Sequence, residues 1–401
     1  MFFNIHFVFA AVAFAGIAIR AKLRDVTAAE DEDEDDELLF ASFVIRHGAR
    51  GPTKKALYLA CGETAEQRMQ RNDPNSEPHP ATSASKIWKP EELEALTTVG
   101  SDQLVALGAH FAKYIRRMKC ATNIKLRRSE APRVIASAIS FMKGYELSKN
   151  LESPRLEYTP YNTVEENVAV FRSWTGTEYN RHIARLKHSK IYQEKGEASA
   201  AILDATVLKL CKPWSSDLSR AGQLNLTTYL WECKKCEEYF PNSFKRQPGS
   251  ISHYFKERPD ACEGLRKLAL WCFDQRFINR QTVGDQWGMH IGGDILQEIH
   301  NDFLISGGRG GASVYIGHDY TILALMSALG VIDHPPSILG FGAYAIMEYR
   351  RKKETGTIYQ RLLIQTTPFP DLNHPSKVVS EIDDPPVEVF STSVGSYNEL
   401  H

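Results

Sequence analysis

The sequence predicts an α/β protein with a three-layer core, in which helices flank a mostly parallel central sheet, together with a largely α-helical cap or insertion. Two observations predict the core. Apolar runs at 38–45 and 312–317 have the length of buried strands, and each is followed by a charged dipeptide that contains histidine. A third observation predicts the insertion, because residues 153–283 are rich in Tyr, Trp, Lys and Glu and have helical rather than strand periodicity.

The composition is that of a folded globular protein. The chain has 401 residues, of which 43% are hydrophobic and 24% charged, so it is long enough for one large domain or two moderate ones. The formal net charge of -1 conceals an acidic run at 30–37, which leaves a basic excess in the remainder. A run of like charges stays solvated, so we expect a disordered acidic leader. The alternative is a segment that masks a basic cleft. The basic excess suits an anionic substrate.

The amino terminus predicts a secretory or lumenal location. Residues 7–19 form an apolar stretch that is too short to span a bilayer comfortably, and small residues around it offer cleavage points. A signal peptide is the first interpretation, and an uncleaved anchor is the second. No later segment is long and apolar enough to span a membrane, so we expect a soluble mature protein.

Seven cysteines allow up to three disulfides in an oxidising compartment, with one thiol left over. Cys233 and Cys236 have the spacing of a zinc or redox motif, but no second pair lies nearby, so a local disulfide or unpaired thiols are the alternative. The sequon at Asn225 is consistent with a secreted glycoprotein.

Further elements are expected in the first half of the core, after the strand at 38–45. A polar loop at 62–89 precedes a helix at 91–118, in two pieces broken around Gly100. A strand at 123–126 and a helix at 133–149 follow.

The second half of the core repeats this strand and helix pattern. We expect helices at 292–304 and 320–329 around the strand at 312–317, then two late strands at 343–350 and 358–366. The tail after Pro368 is polar and is expected to be loose. The predicted division is a signal peptide or anchor at 1–21, an acidic leader at 22–37, core segments at 38–152 and 284–367, a helical insertion at 153–283 and a polar tail at 368–401.

The first candidate site follows the strand at 38–45. Arg46, His47 and Arg50 lie within five residues, and two guanidinium groups can each hold phosphate oxygens in a bidentate manner. An imidazole between two arginines stays neutral because a third positive charge nearby is unfavourable, and the neutral imidazole is nucleophilic. Gly48 lets the backbone approach a substrate closely. The segment therefore predicts a phosphate site with a nucleophilic histidine, against the alternative of a basic surface turn.

The second candidate site is His318-Asp319, between an apolar strand and a helix. The amino terminus of a helix favours bound anions, so His318 is placed to contact a phosphate oxygen. Asp319 is placed to protonate a leaving oxygen, although Asp is also a common helix cap. Both segments lie at the carboxyl ends of predicted buried strands, which is where the catalytic groups of open α/β sheets are found.

With these motifs the sequence resembles the histidine acid phosphatase family, the acid phosphatase and phytase branch of the histidine phosphatase superfamily. The resemblance rests on residues 43–53 and 317–323, on the Leu-Thr-x-x-Gly pattern at 96–100, and on the segments 129–141 and 292–296. It implies that His47 is the nucleophile, that Arg46, Arg50 and His318 bind phosphate, and that Asp319 is the proton donor. It implies no metal or other cofactor, because arginines neutralise the phosphate.

The resemblance also implies a third phosphate-binding arginine. Spacing selects Arg127, with Arg128 as the alternative, and Arg133 is expected to be structural, near the start of its helix.

We therefore expect an acid phosphatase that hydrolyses small-molecule phosphomonoesters through a phosphohistidine. The segment with Ala49 and the basic residues after Pro52 resembles the corresponding segment of phytases and multiple inositol polyphosphate phosphatases. The latter, however, typically have His-Ala-Glu in place of His318-Asp319. Inositol phosphate hydrolysis is therefore the second hypothesis, and a catalytically inactive binding relative is the third. A phosphomutase is less consistent with the His-Asp pair. No nucleic-acid partner is expected, and the sequence leaves the oligomeric state open.

Overall fold

The computed structural model of the protein describes residues 36–53, 55–56, 90–116, 118, 124–149, 153–162, 171, 177–211, 214–239, 250–277, 287–308, 310–331, 339–366 and 387–396. The signal peptide and nearly all of the acidic leader expected from the sequence lie outside these residues, as do Cys61, Cys120 and the loop expected at 62–89.

The strands of the described residues form one seven-stranded sheet in the order β3-β2-β4-β1-β5-β6-β7. They are β1 (Asp36–Arg46), β2 (Ile124–Arg128), β3 (Leu156–Tyr158), β4 (Gly311–Gly317), β5 (Tyr344–Lys352), β6 (Thr357–Gln365) and β7 (Val387–Ser396). The pairs among β1 to β4 are parallel, whereas β5 to β7 form an antiparallel meander on the edge of β1. Five of the seven strands run in the same direction, so the mostly parallel sheet expected from the sequence is confirmed.

The α-helices pack on both faces of this sheet and in a separate layer. They are α1 (Thr98–Ile115), α2 (Pro132–Ser148), α3 (Thr177–His188), α4 (Lys190–Ala198), α5 (Ala200–Ala205), α6 (Val207–Leu210), α7 (Arg220–Glu238), α8 (Ile251–Lys256), α9 (Pro259–Phe277), α10 (Trp287–Ser306) and α11 (Asp319–Ala328). Among the residues described, no helix is both long and apolar enough to cross a membrane.

Alternation along β1 divides the core into two layers. Phe43 and Ile45 face α1 and α2, whereas Val44 faces α10 and α11 on the other side of the sheet. A third apolar cluster joins the helices of the insertion, built largely on α7 and α9. The three-layer core and the helical insertion are confirmed, and they belong to one compact unit that begins at Asp36.

Three local predictions are wrong. Helix α1 begins only at Thr98, because the Thr97 side chain caps it by accepting a bond from the Gly100 amide, so the expected helical piece before Gly100 is absent apart from a short 3-10 turn at Pro90–Glu92. Residues 156–158, expected within the helical insertion, form the edge strand β3, since the chain after α2 returns beside β2. The tail expected to be loose contains β7, whose Val387 and Phe390 pair with β6.

Candidate active site

Parallel pairing of two strands brings the two histidine-containing segments together. Arg46, the last residue of β1, is in register with Gly317, the last residue of β4. The next residues, His47 and His318, therefore lie at the same edge of the sheet, with ring centroids 5.5 Å apart. This arrangement brings together two histidines that are 271 positions apart in the sequence, as their positions at strand ends predict.

Backbone contacts fix the loop that carries His47. The His47 amide donates to the Gly317 carbonyl (3.0 Å), and the Gly342 amide donates to the His47 carbonyl (3.2 Å). The loop also packs against the start of α1, where a Cβ on Gly48 would collide with the Gly100 carbonyl. A side chain at position 48 would thus push the loop away from α1.

His47 is held as a neutral imidazole with a defined tautomer. Its Nδ1 lies 2.8 Å from the Gly48 carbonyl, which can only accept, so Nδ1 carries the proton and Nε2 keeps its lone pair. The Arg50 Nε donates toward that Nε2 at 3.4 Å. Burial lowers the pKa of His47 well below its usual range, and the positive charges of Arg133, Arg50 and Arg46 lower it further. The neutral ring expected from the sequence therefore has both a solvation cause and an electrostatic cause.

The two arginines of the first motif are anchored by different partners. Arg46 donates to the Leu339 carbonyl, lies 4.4 Å above the Phe341 ring, and pairs with Asp319 at 3.1 Å. Arg50 donates to the Gly51 carbonyl (2.7 Å) and to Glu232 on α7 (3.0 Å).

His318 and Asp319 occupy the junction of β4 and α11. The Nδ1 of His318 lies 3.5 Å from the Arg133 guanidinium, which can only donate, so Nε2 carries the ring proton and donates to Ser129 Oγ at 3.1 Å. Burial lowers the pKa of His318 well below its usual range, and the positive charge of Arg133 lowers it further. Asp319 is partly exposed, and one of its oxygens accepts from the Tyr320 amide.

The site contains Arg133 rather than Arg127. On β2, Arg127 pairs with Glu298 of α10 and lies 4.7 Å above the Tyr161 ring. Its position follows from strand alternation, because Leu126 faces α1 and α2 and its neighbours face the other side. The alternative, Arg128, pairs with Glu130 and lies over Tyr158, also away from His47.

Arg133 is the second residue of α2, and the sequence predicts only a structural role for it. Its guanidinium contacts His318, and among the neighbouring charges it lowers the pKa of His47 the most. Burial lowers the pKa of Arg133 to about 10, and repulsion by Arg50 lowers it in the same direction. It therefore remains a cation at neutral pH, so the site gathers three guanidinium groups around two neutral imidazoles.

The chain matches a known family model over most of its length. Residues 37–365 match the model of the histidine phosphatase superfamily, branch 2. The chain belongs to this superfamily. Its membership, together with the site geometry, supports a phosphatase function. A search by sequence among curated proteins finds no match.

Solved structures show the same fold for this histidine phosphatase. The chain is similar to the phytase of Klebsiella sp. ASR1, with 15% identity, a TM-score of 0.56, and coverage of 91% of this chain and 94% of that one. Hafnia alvei phytase in complex with myo-inositol hexakis sulphate has 17% identity, a TM-score of 0.57, and coverage of 90% and 91%. Citrobacter braakii phytase has 16% identity, a TM-score of 0.55, and coverage of 89% and 92%. At these identities the likeness shows the fold.

Two carboxylates of the histidine phosphatase site were not predicted from the sequence. Glu232 accepts from Arg50 and, at 2.9 Å, from the Thr53 amide. Burial alone would raise the pKa of Glu232, but these donors hold it below its usual value, so the carboxylate is ionised. Glu94 pairs with Arg133 at 3.7 Å. Neither residue belongs to a recognisable motif, and only the three-dimensional fold brings them to the site.

The predictions for the insertion have mixed outcomes. Cys233 and Cys236 are buried one helical turn apart on α7, and burial raises the pKa of the Cys236 thiol to about 12. Among the described residues no cluster of side chains is suited to a metal ion. The glycosylation prediction conflicts with the fold, because Asn225 is buried on α7 and accepts a 2.8 Å bond from Arg276.

Proposed function

We propose that the protein is a phosphoric monoester hydrolase that transfers a phosphoryl group to His47 and then to water. The observation that carries the proposal is the environment of His47, a buried neutral imidazole whose Nε2 is unprotonated and faces arginines. Such a ring is nucleophilic without prior deprotonation, and the cations around it match the charge of a phosphate dianion.

In the first step, the Nε2 of His47 attacks phosphorus as the bond to the leaving oxygen breaks. Arg46 and Arg50 bind the equatorial oxygens through their guanidinium groups, which stabilise the developing charge. His318 binds a phosphate oxygen through its Nε2–H, which must leave Ser129 to do so. Asp319 gives its proton to the leaving oxygen, which departs as an alcohol. This role requires Asp319 to exchange its bond with Arg46 for a proton when the substrate dianion takes over that guanidinium.

In the second step, water attacks phosphorus on the opposite side, the P–N bond breaks, and inorganic phosphate leaves. Asp319, now a carboxylate, accepts the proton from water. His47 returns to its neutral form with the proton still on Nδ1, since the Gly48 carbonyl accepts that bond throughout.

We assign the third phosphate-binding guanidinium to Arg133. Its contact with His318 and its electrostatic repulsion by Arg50 support this assignment. Arg127 is engaged by Glu298 on the far side of the sheet layer.

The preferred substrate class is a small phosphomonoester, and inositol phosphates are the second candidate. Structural likeness to phytases favours the second candidate at the level of the fold. The carboxylates that pair with the site arginines favour the first, because they offset positive charge that a polyphosphate requires. We also propose a secreted or lumenal location, on the basis of the apolar segment at 7–19.

Two substrates that differ in leaving group test the proposal. The full chain should release phosphate from 4-nitrophenyl phosphate and from 2-glycerophosphate. Asp319→Asn should slow the second by about 100-fold or more, because an alkoxide needs a proton to leave, and the first far less. Equal losses on both substrates would contradict the assignment of Asp319 as proton donor. Turnover of inositol hexakisphosphate at a comparable kcat/KM would favour the phytase alternative.

A further inference from the structure

The loop at 339–343, just before β5, lies against the end of β1. The Arg46 amide donates to the Ala343 carbonyl at 2.8 Å, and the Arg46 guanidinium donates to the Leu339 carbonyl. Phe341 lies between these two acceptors in the sequence. The loop is thus joined to Arg46 at both of its ends, which fixes the position of Phe341 relative to the first motif.

The Phe341 ring contacts two residues of the site and one of the insertion. The guanidinium carbon of Arg46 lies over the ring, 4.4 Å from its centroid, and the His47 ring centroid lies at 5.7 Å. Tyr239, at the end of α7, packs edge-on against the same ring with centroids 5.0 Å apart. Phe341 is only 2% exposed, so these contacts are made away from water.

The contact between Phe341 and Arg46 differs in kind from the ion pair between Arg46 and Asp319. An aromatic face attracts a guanidinium group through its negative charge density, and the attraction is stronger where water is excluded. The ring carries no net charge, so it neither neutralises Arg46 nor competes with a phosphate for it. The Asp319 carboxylate, at 3.1 Å, does both. The ring contact is therefore compatible with a bound phosphate, whereas the ion pair is not.

We infer that Phe341 is a positioning residue that holds the Arg46 guanidinium in place while a substrate phosphate replaces Asp319, an inference that rests on the proposed phosphatase function. In the proposed first step Asp319 gives up its bond with Arg46. The Leu339 carbonyl and the Phe341 ring then keep the guanidinium at the end of β1. A guanidinium that is already oriented stabilises the developing charge without first having to be ordered.

Stepwise fluorination of the Phe341 ring tests this role. Site-specific incorporation of mono-, di- and trifluorinated phenylalanine into the full chain removes negative charge from the ring face with little change in its shape. The value of kcat/KM for 4-nitrophenyl phosphate should fall with each added fluorine, by about 3- to 10-fold in total, with a loss in kcat as well as a rise in KM. A residue that only fills space would show no such graded loss.

The matched control is the same fluorinated series at Phe255. This residue is also buried in the apolar cluster of the insertion, and its ring packs on Tyr254 with centroids 5.2 Å apart. Fluorination there should leave kcat/KM within about twofold. Equal losses at Phe341 and Phe255, or no loss at Phe341, would overturn the inference.

A coarser variant supports the series. Phe341→Leu keeps an apolar side chain and removes the ring, so kcat/KM should fall by about 10-fold or more, because the contact with Arg46 and part of the local packing are both lost. Phe341→Tyr keeps the ring and should recover most of that loss. A Phe341→Tyr protein as impaired as Phe341→Leu would contradict a role that depends on the aromatic face. Circular dichroism checks that both variants fold.

Binding of inorganic phosphate separates failure of this inference from failure of the proposed function. Calorimetry gives its Kd without turnover, and trifluorinated Phe341 should weaken binding by about threefold or more. If the wild-type chain hydrolyses no phosphomonoester but this shift occurs, the proposed function is wrong and the positioning role stands. Hydrolysis that is unaffected by fluorination, with an unchanged Kd, would reject the role of Phe341 alone.

Discussion

At the residue scale, the chemistry of the site depends on which nitrogen of each histidine carries a proton. The Gly48 carbonyl fixes the proton of His47 on Nδ1, and the Arg133 guanidinium fixes that of His318 on Nε2. One ring thereby presents an unprotonated Nε2, and the other presents an Nε2–H that can donate a hydrogen bond. The sequence predicts both histidines from their neighbours, but not the tautomers, because these depend on a carbonyl and an arginine positioned by the fold.

The same limit applies to the third arginine, which we propose to be Arg133 instead of Arg127. Spacing along the chain favours Arg127. A strand alternates its side chains between two faces, however, and on its own face Arg127 forms an ion pair with Glu298. Arg133 reaches the site because α2 starts beside the end of β4, which puts it next to His318. That juxtaposition depends on the packing of α2 and is absent from any local pattern.

Paired substitutions distinguish the two arginines. Arg133→Gln should lower kcat/KM for 4-nitrophenyl phosphate by about 100-fold, because it removes one charged donor from the transferring phosphoryl group. Arg127→Gln should change kcat/KM by less than about threefold, since a partly exposed ion pair contributes little outside its own contact. Steady-state kinetics on both proteins, with folding checked by circular dichroism, measure the difference. The reverse order of effects would restore Arg127 as the phosphate ligand.

At the element scale, the site exists because β1 and β4 are adjacent and parallel. Two apolar runs that each end in a histidine-containing dipeptide are sufficient to predict this edge, since parallel strands present their carboxyl ends together. The contribution of α7 is not predictable in this way. Glu232 contacts Arg50 across 182 positions of sequence, from a helix that is buried on most of its sides and whose sequence pattern does not single out Glu232.

Glu232 therefore links the helical insertion to the His47 loop, and its removal should impair catalysis. Glu232→Ala leaves the Thr53 amide and one Arg50 donor without their acceptor, so we expect kcat to fall by about 10-fold or more. Glu232→Gln keeps an acceptor oxygen and should lose less. Glu238→Ala is the matched control on the same helix, since Glu238 pairs with Lys234 and Lys235 instead. Comparable losses from the alanine substitutions at 232 and 238 would show only a general effect on α7.

At the scale of the whole molecule, the sequence predicts the core well and its edges poorly. The central strands are long apolar runs buried on both faces, and this pattern is strong. The edge strands are different. β3 has only three residues, and β7 follows a polar stretch, so each is defined by the neighbour that it pairs with. Pairing across a sheet is a tertiary property, which a local reading of residues 156–158 or 387–396 does not contain.

Burial of two neutral histidines should make the stability of the whole protein depend on pH. Because folding lowers the pKa of His47 and of His318, the unfolded chain binds more protons once the pH falls below about 6.5. The free energy of unfolding should then fall with pH, by up to about 1.4 kcal/mol per pH unit for each histidine. Urea unfolding at pH 7, 6 and 5 measures this slope.

Substitution isolates the contribution of each ring to that slope. His47→Asn and His318→Asn should each flatten the dependence between pH 6 and pH 5. His188→Asn, at an exposed position on α3, is the control and should leave it unchanged. A slope that survives both active-site substitutions would mean that other groups cause it.

The most direct test of His47 as the nucleophile is to trap the covalent intermediate. Brief exposure of the full chain to a phosphomonoester labelled in its phosphoryl group, followed by quenching in alkali, should leave label on the protein. The label should be lost in acid, as expected of a phosphohistidine, and should map to the peptide that contains His47. The His47→Ala protein should retain none, while Asp319→Asn should still form it from a substrate with a good leaving group. Acid-stable label, or label retained by His47→Ala, would contradict phosphoryl transfer to His47.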